Sequence, residues 1–394
     1  MDDNQQNHLK AYGIAFWTLE SDVPVTWLLN YRGGSFMIKK ADPIVNECII
    51  RGVSYEVIPD AKSTAILQEI SNPAVNMDAV KLEKAPKIAV YSPKNKLPWD
   101  DAVTLVLTYA EIPYEVVYDE EIIKGELNLY DWLHLHHEDF TGQYGKFYRA
   151  FKNAPWYREQ VSTLENSAHN LGFEKVSQMK LAVATNIRNY TAGGGFLFTM
   201  CSGTDSYDIA LAADGIDICE SMYDGDPADP QAQKKLNFEN TFAFQNFQLK
   251  MNPLEYEYST IDTDPIHKKT PDPLNAFTLF EFSAKWDPVP TMLCQNHTRL
   301  IDGFFGQTTA FNKNYIKPEV LILGETKSLN SAKYIHGTLG KGQWTFYGGH
   351  DPEDAKHYVN DPPTDLNLHP NSPGYRLILN NILFPAAKKK KQKT

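Results

Sequence analysis

The sequence predicts an α/β protein whose larger part is built on a parallel sheet. Between residues 87 and 211, strand-like apolar runs alternate with helical ones, and strands joined through helices pair in parallel. At its centre, residues 191–210 read TAGGGFLFTMCSGTDSYDIA: a glycine stop, a short buried strand and a helix start in succession. The composition, 42% hydrophobic and 12% aromatic over 394 residues, suffices for two domains or one large one.

Taken in order, residues 5–19 carry a helical pattern and 25–31 (VTWLLNY) read as a strand, followed by the glycine turn Arg32-Gly33-Gly34-Ser35-Phe36. Residues 43–51 read as helix, 55–59 (YEVIP) as strand and 63–70 as helix, so residues 1–84 make a small N-terminal α/β unit. Residues 72–86 hold two prolines and no clear period and read as its linker. The larger domain, 85–386, opens with the strand 87–91 (KIAVY), an amphipathic helix at 100–110 and a strand at 114–118 (YEVVY). In the third strand, 130–136 (YDWLHLH), alternation places Trp132, His134 and His136 on one face. Residues 144–171 form a largely helical insertion, and 176–190 a helix leading to the glycines. From about 214 to 336 the rhythm breaks into Asp-, Pro-, Asn- and aromatic-rich sequence with short β-like runs at 278–282 and 320–323. This segment reads as an insertion that walls the site. Residues 343–347 (QWTFY) are another strand, 375–383 a closing helix, and 387–394 a disordered basic tail.

Cys201 stands where the buried strand meets the helix start. That turn lifts a side chain out of the sheet toward helix N–H groups, and the helix dipole favours a thiolate. The polar turn Ser202-Gly203-Thr204 predicts a thiol pKa below the free value of about 8.5 and fast alkylation near neutral pH. After the strand at 343–347 come Gly348-Gly349-His350-Asp351-Pro352-Glu353, where an imidazole with a carboxylate close behind suits a base for the thiol. Cys201 is thus the candidate nucleophile, His350 the general base, and Glu353 or Asp351 its orienting carboxylate. The N–H of Ser202, with Gly203 beside it, supplies one oxyanion donor, and the loop His136-His137-Glu138 the second.

The elbow Met200-Cys201-Ser202-Gly203 resembles the G-x-C-x-G elbow of class I glutamine amidotransferase-like proteins, and His350-Asp351-Pro352-Glu353 resembles their closing His-Pro-Glu with one residue inserted. The likeness runs from about Ala85 to the C-terminus and is nearest the divergent, trehalose-utilisation-like branch. It implies a three-layer, flavodoxin-like sheet and an amide (C–N) hydrolase or amidotransferase working through a thioester. Two positions depart from the family: Thr199 replaces the elbow glycine, and His136-His137-Glu138-Asp139 replaces the oxyanion-hole glycines. The chain also resembles Bacteroidota proteins often labelled asparagine synthetase B, whose members carry an upstream export segment. A periplasmic location follows if such a segment was removed, and a cytoplasmic one otherwise.

Two other functions compete. Ser202-Gly203-Thr204-Asp205-Ser206 resembles the pyrophosphate loop of ATP-dependent asparagine synthetase B-like enzymes, one residue short and without a lysine. A non-catalytic carbohydrate- or small-molecule-binding protein on the same fold would use the aromatics of the insertion. The net charge of −11 opposes binding to nucleic acid or anionic membrane, and no run is long enough to span a bilayer. The four cysteines lack disulfide-scaffold or metal spacing. His134, His136, His137, Glu138 and Asp139 are the densest potential ligands, but neighbours along an extended chain point apart, so substrate contact or structural hydrogen bonding is expected there. No metal and no cofactor are expected. Asp224, Asp226 and Asp229 read as an acidic turn, and Arg299 as a surface residue.

Overall fold

A computed structural model describes residues 1–94 and 97–387. The protein is mixed α/β, with one small antiparallel sheet and one large mixed sheet. Helix α1 (His8–Glu20) is capped by Asn7, whose side chain accepts from the Lys10 N–H. The small sheet has the order β2-β1-β3, from β1 (Val25–Leu29), β2 (Ser35–Ile38) and β3 (Asp78–Leu82). Trp27 sits opposite Phe36 on one side and Val80 on the other. Helices α2 (Asp42–Ile50) and α3 (Asp60–Ser71) lie between β2 and β3.

Two expectations for this region are corrected. Residues 55–59 form no strand, and Tyr55 and Val57 are exposed. The third strand lies instead in the expected linker: Asp78-Ala79-Val80-Lys81-Leu82 alternates, with Val80 and Leu82 buried. In the glycine turn at Arg32–Gly34, the Gly33 carbonyl accepts from the buried Arg376 guanidinium at 2.6 Å. Tyr12, Phe16 and Trp27 share one apolar cluster with Val103, Leu107, Ile378 and Ile382, so the N-terminal unit packs into the core of the larger part.

The large sheet begins with β4 (Ile88–Tyr91), followed by α4 (Ala102–Ala110), β5 (Glu115–Val117), α5 (Asp119–Ile123) and β6 (Trp132–Leu135). After α6 (Tyr148–Phe151), α7 (Pro155–Asn170) and α8 (Val176–Gly193) come β7 (Phe196–Met200) and α9 (Ser202–Ala212). The insertion contributes β8 (Phe277–Leu279), β9 (Leu300–Ile301), β10 (Phe311–Asn312), β11 (Leu321–Thr326) and β12 (Ser331–Leu339). The last strand is β13 (Gly342–Tyr347), and the closing helix spans Pro373–Leu383.

The strand order is β5-β4-β6-β7-β13-β12-β11-β8-β9, with β10 on β12. The first five are mutually parallel and the rest antiparallel. Part of the insertion therefore extends the sheet beyond β13, and its expected end at 336 falls inside β12. Successive residues of the parallel strands feed two apolar clusters. Val90, Trp132 and Phe198 join one with α4 and the closing helix, while Ala89, Leu133 and Leu197 join another with α8 and α9. Each large apolar side chain so buried contributes roughly 1.5–3 kcal/mol. Of the expected basic tail, Ala387 bridges Leu82, and 388–394 lie outside the described residues.

Candidate functional site

The parallel strands deliver their carboxyl ends to one edge, where open α/β sheets bind ligands. Cys201 follows β7 with φ 52° and ψ −141°, a conformation that costs a non-glycine residue about 1–3 kcal/mol. The turn is held by Thr204, whose Oγ1 and N–H donate to the Cys201 carbonyl at 2.6 and 3.1 Å. α9 then packs tightly on β7, since a Cβ at Gly203 would lie 3.1 Å from Thr199 Cγ2. The strand–elbow–helix expected from the sequence is present.

His136 and His137 follow β6. Adjacent side chains on an extended chain diverge, but His137 has φ 51°, and this left-handed turn brings both rings to the same side. They stack with centroids 3.7 Å apart. His350, just past β13, closes on them at 4.2 Å from the His137 ring and 5.1 Å from the His136 ring. One nitrogen of each of these histidines and the Cys201 sulfur all lie within 4.8 Å of one another. His136 Nε2, His137 Nε2 and His350 Nδ1 are buried and make no hydrogen bond among the described residues.

Two aspartates ahead of α4 stand behind the rings. Asp101 caps α4 by accepting from the Thr104 N–H at 2.9 Å. Its other oxygen lies 3.0 Å from His134 Nε2 and 3.1 Å from His136 Nδ1. Asp100 Oδ1 lies 3.4 Å from His350 Nε2 and 3.0 Å from His357 Nε2. Burial raises the pKa of both carboxyls, but the histidines outweigh it and hold both well below the usual carboxylate range. Burial lowers the His136 pKa to about 4 against the pull of Asp101, and lowers that of His137 further, so both rings are neutral.

Cys201 differs electrostatically from the expectation. It is 1% exposed, and burial pushes its thiol up to about 11, against the backbone N–H groups of Gln307, Thr308 and Ser202. The Gln307 N–H reaches the sulfur at 3.3 Å. This upward direction is opposite to the low thiol pKa expected from the polar turn, because Gln307 and Thr308 of the insertion lie against the sulfur and bury it. That segment is tied down where the Gly349 and His350 N–H groups donate to the Thr308 and Phe305 carbonyls at 2.7 and 2.8 Å. Lys333, buried beneath, donates to the carbonyls of Phe304 and Thr309, and burial lowers its pKa to about 7 despite the attraction of Cys201.

Cys201, His350, His136 and His137 are thus brought together, with the Ser202 N–H at the sulfur and Gly203 behind it. Glu353 and Asp351 do not orient His350. Glu353 lies 3.0 Å from His369 Nδ1, and Asp351 accepts from the Glu353 N–H at 2.8 Å. Asp100 takes the orienting place. The Glu138 carboxylate turns away to accept from the Tyr118 hydroxyl at 3.1 Å. Sequence reading missed Asp100, Asp101, Gln307, Lys333 and His357. Only Asp101 carried a local signal, an aspartate at the start of an amphipathic helix. The acidic turn is as expected, with Lys175 Nζ 2.9 Å from Asp224 and 2.5 Å from Asp226.

A cavity of about 480 Å³ opens beside the cluster, lined by Trp99, Asp100, His136, His137, Asn360 and Pro363 among others. A second, of about 370 Å³, lies at the opposite, amino-terminal end of β6 and β7 around Asp131 and Phe196. Among the described residues no helix is long and apolar enough to cross a membrane.

No protein-family model matches the chain, and no curated protein is significantly similar in sequence. Among solved structures, the cytoplasmic protein STM3548 from Salmonella typhimurium is similar at 10% identity and a TM-score of 0.36, covering 77% of this chain and 100% of its own. The cytoplasmic protein STM1381 from Salmonella typhimurium LT2 gives 12% identity and a TM-score of 0.35 with the same coverage. A GH42 beta-galactosidase, Gan42B, gives 12% identity and a TM-score of 0.29 over 68% of this chain and 28% of its own.

Proposed function

We propose that this chain is a class I glutamine amidotransferase-like protein, with a three-layer, flavodoxin-like sheet, that hydrolyses an amide or related C–N bond at Cys201. The order β5-β4-β6-β7-β13 supports the fold reading, being second-first-third-fourth-fifth along the parallel strands. The observation that carries the chemistry is Cys201 at a strained strand-to-helix turn, its sulfur within 4.8 Å of a His350 nitrogen. In this reading the sulfur attacks the carbonyl carbon while His350, oriented by Asp100, takes the thiol proton. That proton then passes to the leaving nitrogen as the C–N bond breaks. Water hydrolyses the thioester, releasing the acid and the free thiol. The N–H groups of Ser202, Gln307 and Thr308 face the reacting region and supply oxyanion donors.

Against an ATP-dependent synthetase stands the placement of Ser202–Ser206. All five residues are buried in the first turns of α9, with Asp205 accepting from the Thr308 hydroxyl at 2.7 Å. A loop that cradles phosphate must be open to it. The test is ammonia release from a panel of primary amides, glutamine included, with intact-mass detection of an acyl adduct. Cys201→Ser and His350→Gln should each lower the rate at least 10²-fold, and the adduct should vanish in Cys201→Ser. Activity that survives Cys201→Ser overturns the proposal.

A further inference from the structure

We propose that Cys201, His136, His137 and His350 form a four-donor site for a borderline divalent transition ion such as Zn²⁺. The proposal goes beyond the hydrolytic reading and does not depend on it. A sulfur that coordinates an ion is not free to attack a carbonyl, so an ion here would hold the amidase form silent.

Three independent features converge. The first is proximity: three imidazole nitrogens and one sulfur lie within 4.8 Å of one another. A tetrahedral zinc, with Zn–N about 2.0–2.1 Å and Zn–S about 2.3 Å, sets its donors roughly 3.3–3.7 Å apart. The side chains need close in by only about 1 Å to reach that geometry. The second is the orphaned nitrogens. His136 and His350 are each 3% exposed, and His136 Nε2, His137 Nε2 and His350 Nδ1 have no hydrogen-bond partner among the described residues. Buried polar atoms are nearly always satisfied, so three orphans beside one sulfur mark a missing partner.

The third feature is the outer carboxylates. Metal-bound histidines commonly give their second nitrogen to a carboxylate, which fixes the ring and its tautomer. Here Asp101 faces His136 Nδ1 at 3.1 Å and Asp100 faces His350 Nε2 at 3.4 Å. In His350 the nitrogen with a carboxylate neighbour is the one other than the orphan, and in His136 the carboxylate stands at Nδ1 while Nε2 has no partner. Two anions nearby also offset the charge of a divalent ion bound by neutral imidazoles and one thiolate. The donor set selects the ion: imidazole and thiolate suit zinc, cobalt, nickel or copper, and none of the four donors is an oxygen of the kind Mg²⁺ and Ca²⁺ prefer.

A cluster away from these donors is already occupied by protein. That of Asp217, Cys219 and Asp224 has Lys175 Nζ 2.6 Å from Asp217 and 2.9 Å from Asp224, so an ammonium already stands there.

The experiment uses the full chain, stripped with a chelator, titrated with Co²⁺ and separately dialysed against Zn²⁺ for elemental analysis. One ion per chain should bind. The cobalt form should show the intense visible bands of a four-coordinate site and a near-ultraviolet thiolate-to-cobalt band. Cys201→Ser, nearly isosteric, should lose the thiolate band, while Cys219→Ser and Cys294→Ser should keep it. Asp101→Asn should weaken binding by about 10–100-fold, as loss of an outer-shell carboxylate does. Near-ultraviolet circular dichroism of the metal-free variants separates lost binding from lost folding. Less than one ion per chain, a weak six-coordinate spectrum, or a thiolate band that persists in Cys201→Ser overturns the assignment.

Discussion

Two buried polar clusters share the carboxyl edge of the parallel sheet and differ in one respect. Beside β4, α5 and α8, Lys180 donates to the hydroxyls of Tyr91 and Tyr118 at 2.8 and 3.3 Å and to the Asp119 carboxylate at 3.0 and 3.1 Å. Tyr91 donates to Asp119, and Tyr118 to Glu138. The ammonium meets acceptors on several sides and the network closes on itself. Beside β6, β7 and β13, the cluster of His136, His137, Cys201 and His350 contains more donors and acceptors than it can pair. Burial is equal in the two places, so it does not distinguish structure from site. What distinguishes them is whether the polar atoms are satisfied: a closed network specifies the fold, and an open one is shaped for something that is not protein.

The comparison breaks most readily at Lys180. Lys180→Met removes the cation paired with Asp119, which is fully buried. Removing one partner of a buried pair costs about 3–5 kcal/mol, and a loss of unfolding free energy of that size, seen as a lower urea midpoint at unchanged m, is expected. Cobalt binding by the folded fraction should be unchanged. A loss below about 1 kcal/mol would show that the network does not hold the fold.

A satisfied histidine sharpens the same contrast. His267, 3% exposed, pairs both ring nitrogens, with Asn275 Oδ1 at 3.0 Å and Ser331 Oγ at 2.9 Å. Burial, then the charge of Lys333, lowers its pKa from 6.5 to about 4, despite the hydrogen bond with Asn275. Between those values the unfolded chain binds the proton more readily than the folded one. The stability conferred by the neutral ring is therefore present above pH 6.5 and lost as pH falls toward 4, on the order of 3 kcal/mol in all. Urea unfolding of the native chain and of His267→Gln at several pH values should show the difference shrinking across that window. A difference independent of pH would mean that His267 accepts its proton without cost.

Much of this edge was legible in the sequence, and the reasons for the remainder are local. The strand into Cys201 and the helix after it announce themselves through glycine, a short apolar run and a polar turn. β3 was hidden because its five residues alternate between prolines that read as a linker. The orienting carboxylate was sought beside His350 in sequence, at Glu353 and Asp351, whereas the fold brings Asp100 from the segment between β4 and α4, 250 positions away. The pairing of His136 with His137 depends on one backbone angle, φ 51° at His137. A histidine chain read as extended gives no sign of it. The burial of Cys201 comes from residues 304–309, more than a hundred positions away, so its thiol could not be placed from its neighbours.

The smallest expected effect tests the elbow itself. At ordinary positions alanine is more stable than glycine by roughly 0.5–1 kcal/mol, because glycine loses more backbone freedom on folding. Cys201 stands at φ 52° and ψ −141°, where a Cβ is strained and glycine is not. Cys201→Ala keeps the strain and Cys201→Gly removes it, while both lose the sulfur and its contact with the Gln307 N–H. The lost burial is thus nearly common to the pair, and their difference isolates the backbone. With strain of about 1–3 kcal/mol set against the entropy of glycine, the glycine variant should be the more stable by about 1 kcal/mol, the reverse of the usual order. Paired urea titrations of the metal-free variants resolve that difference. An alanine variant more stable than the glycine one would mean that the turn is relaxed in solution, and would reduce Cys201 to a buried thiol.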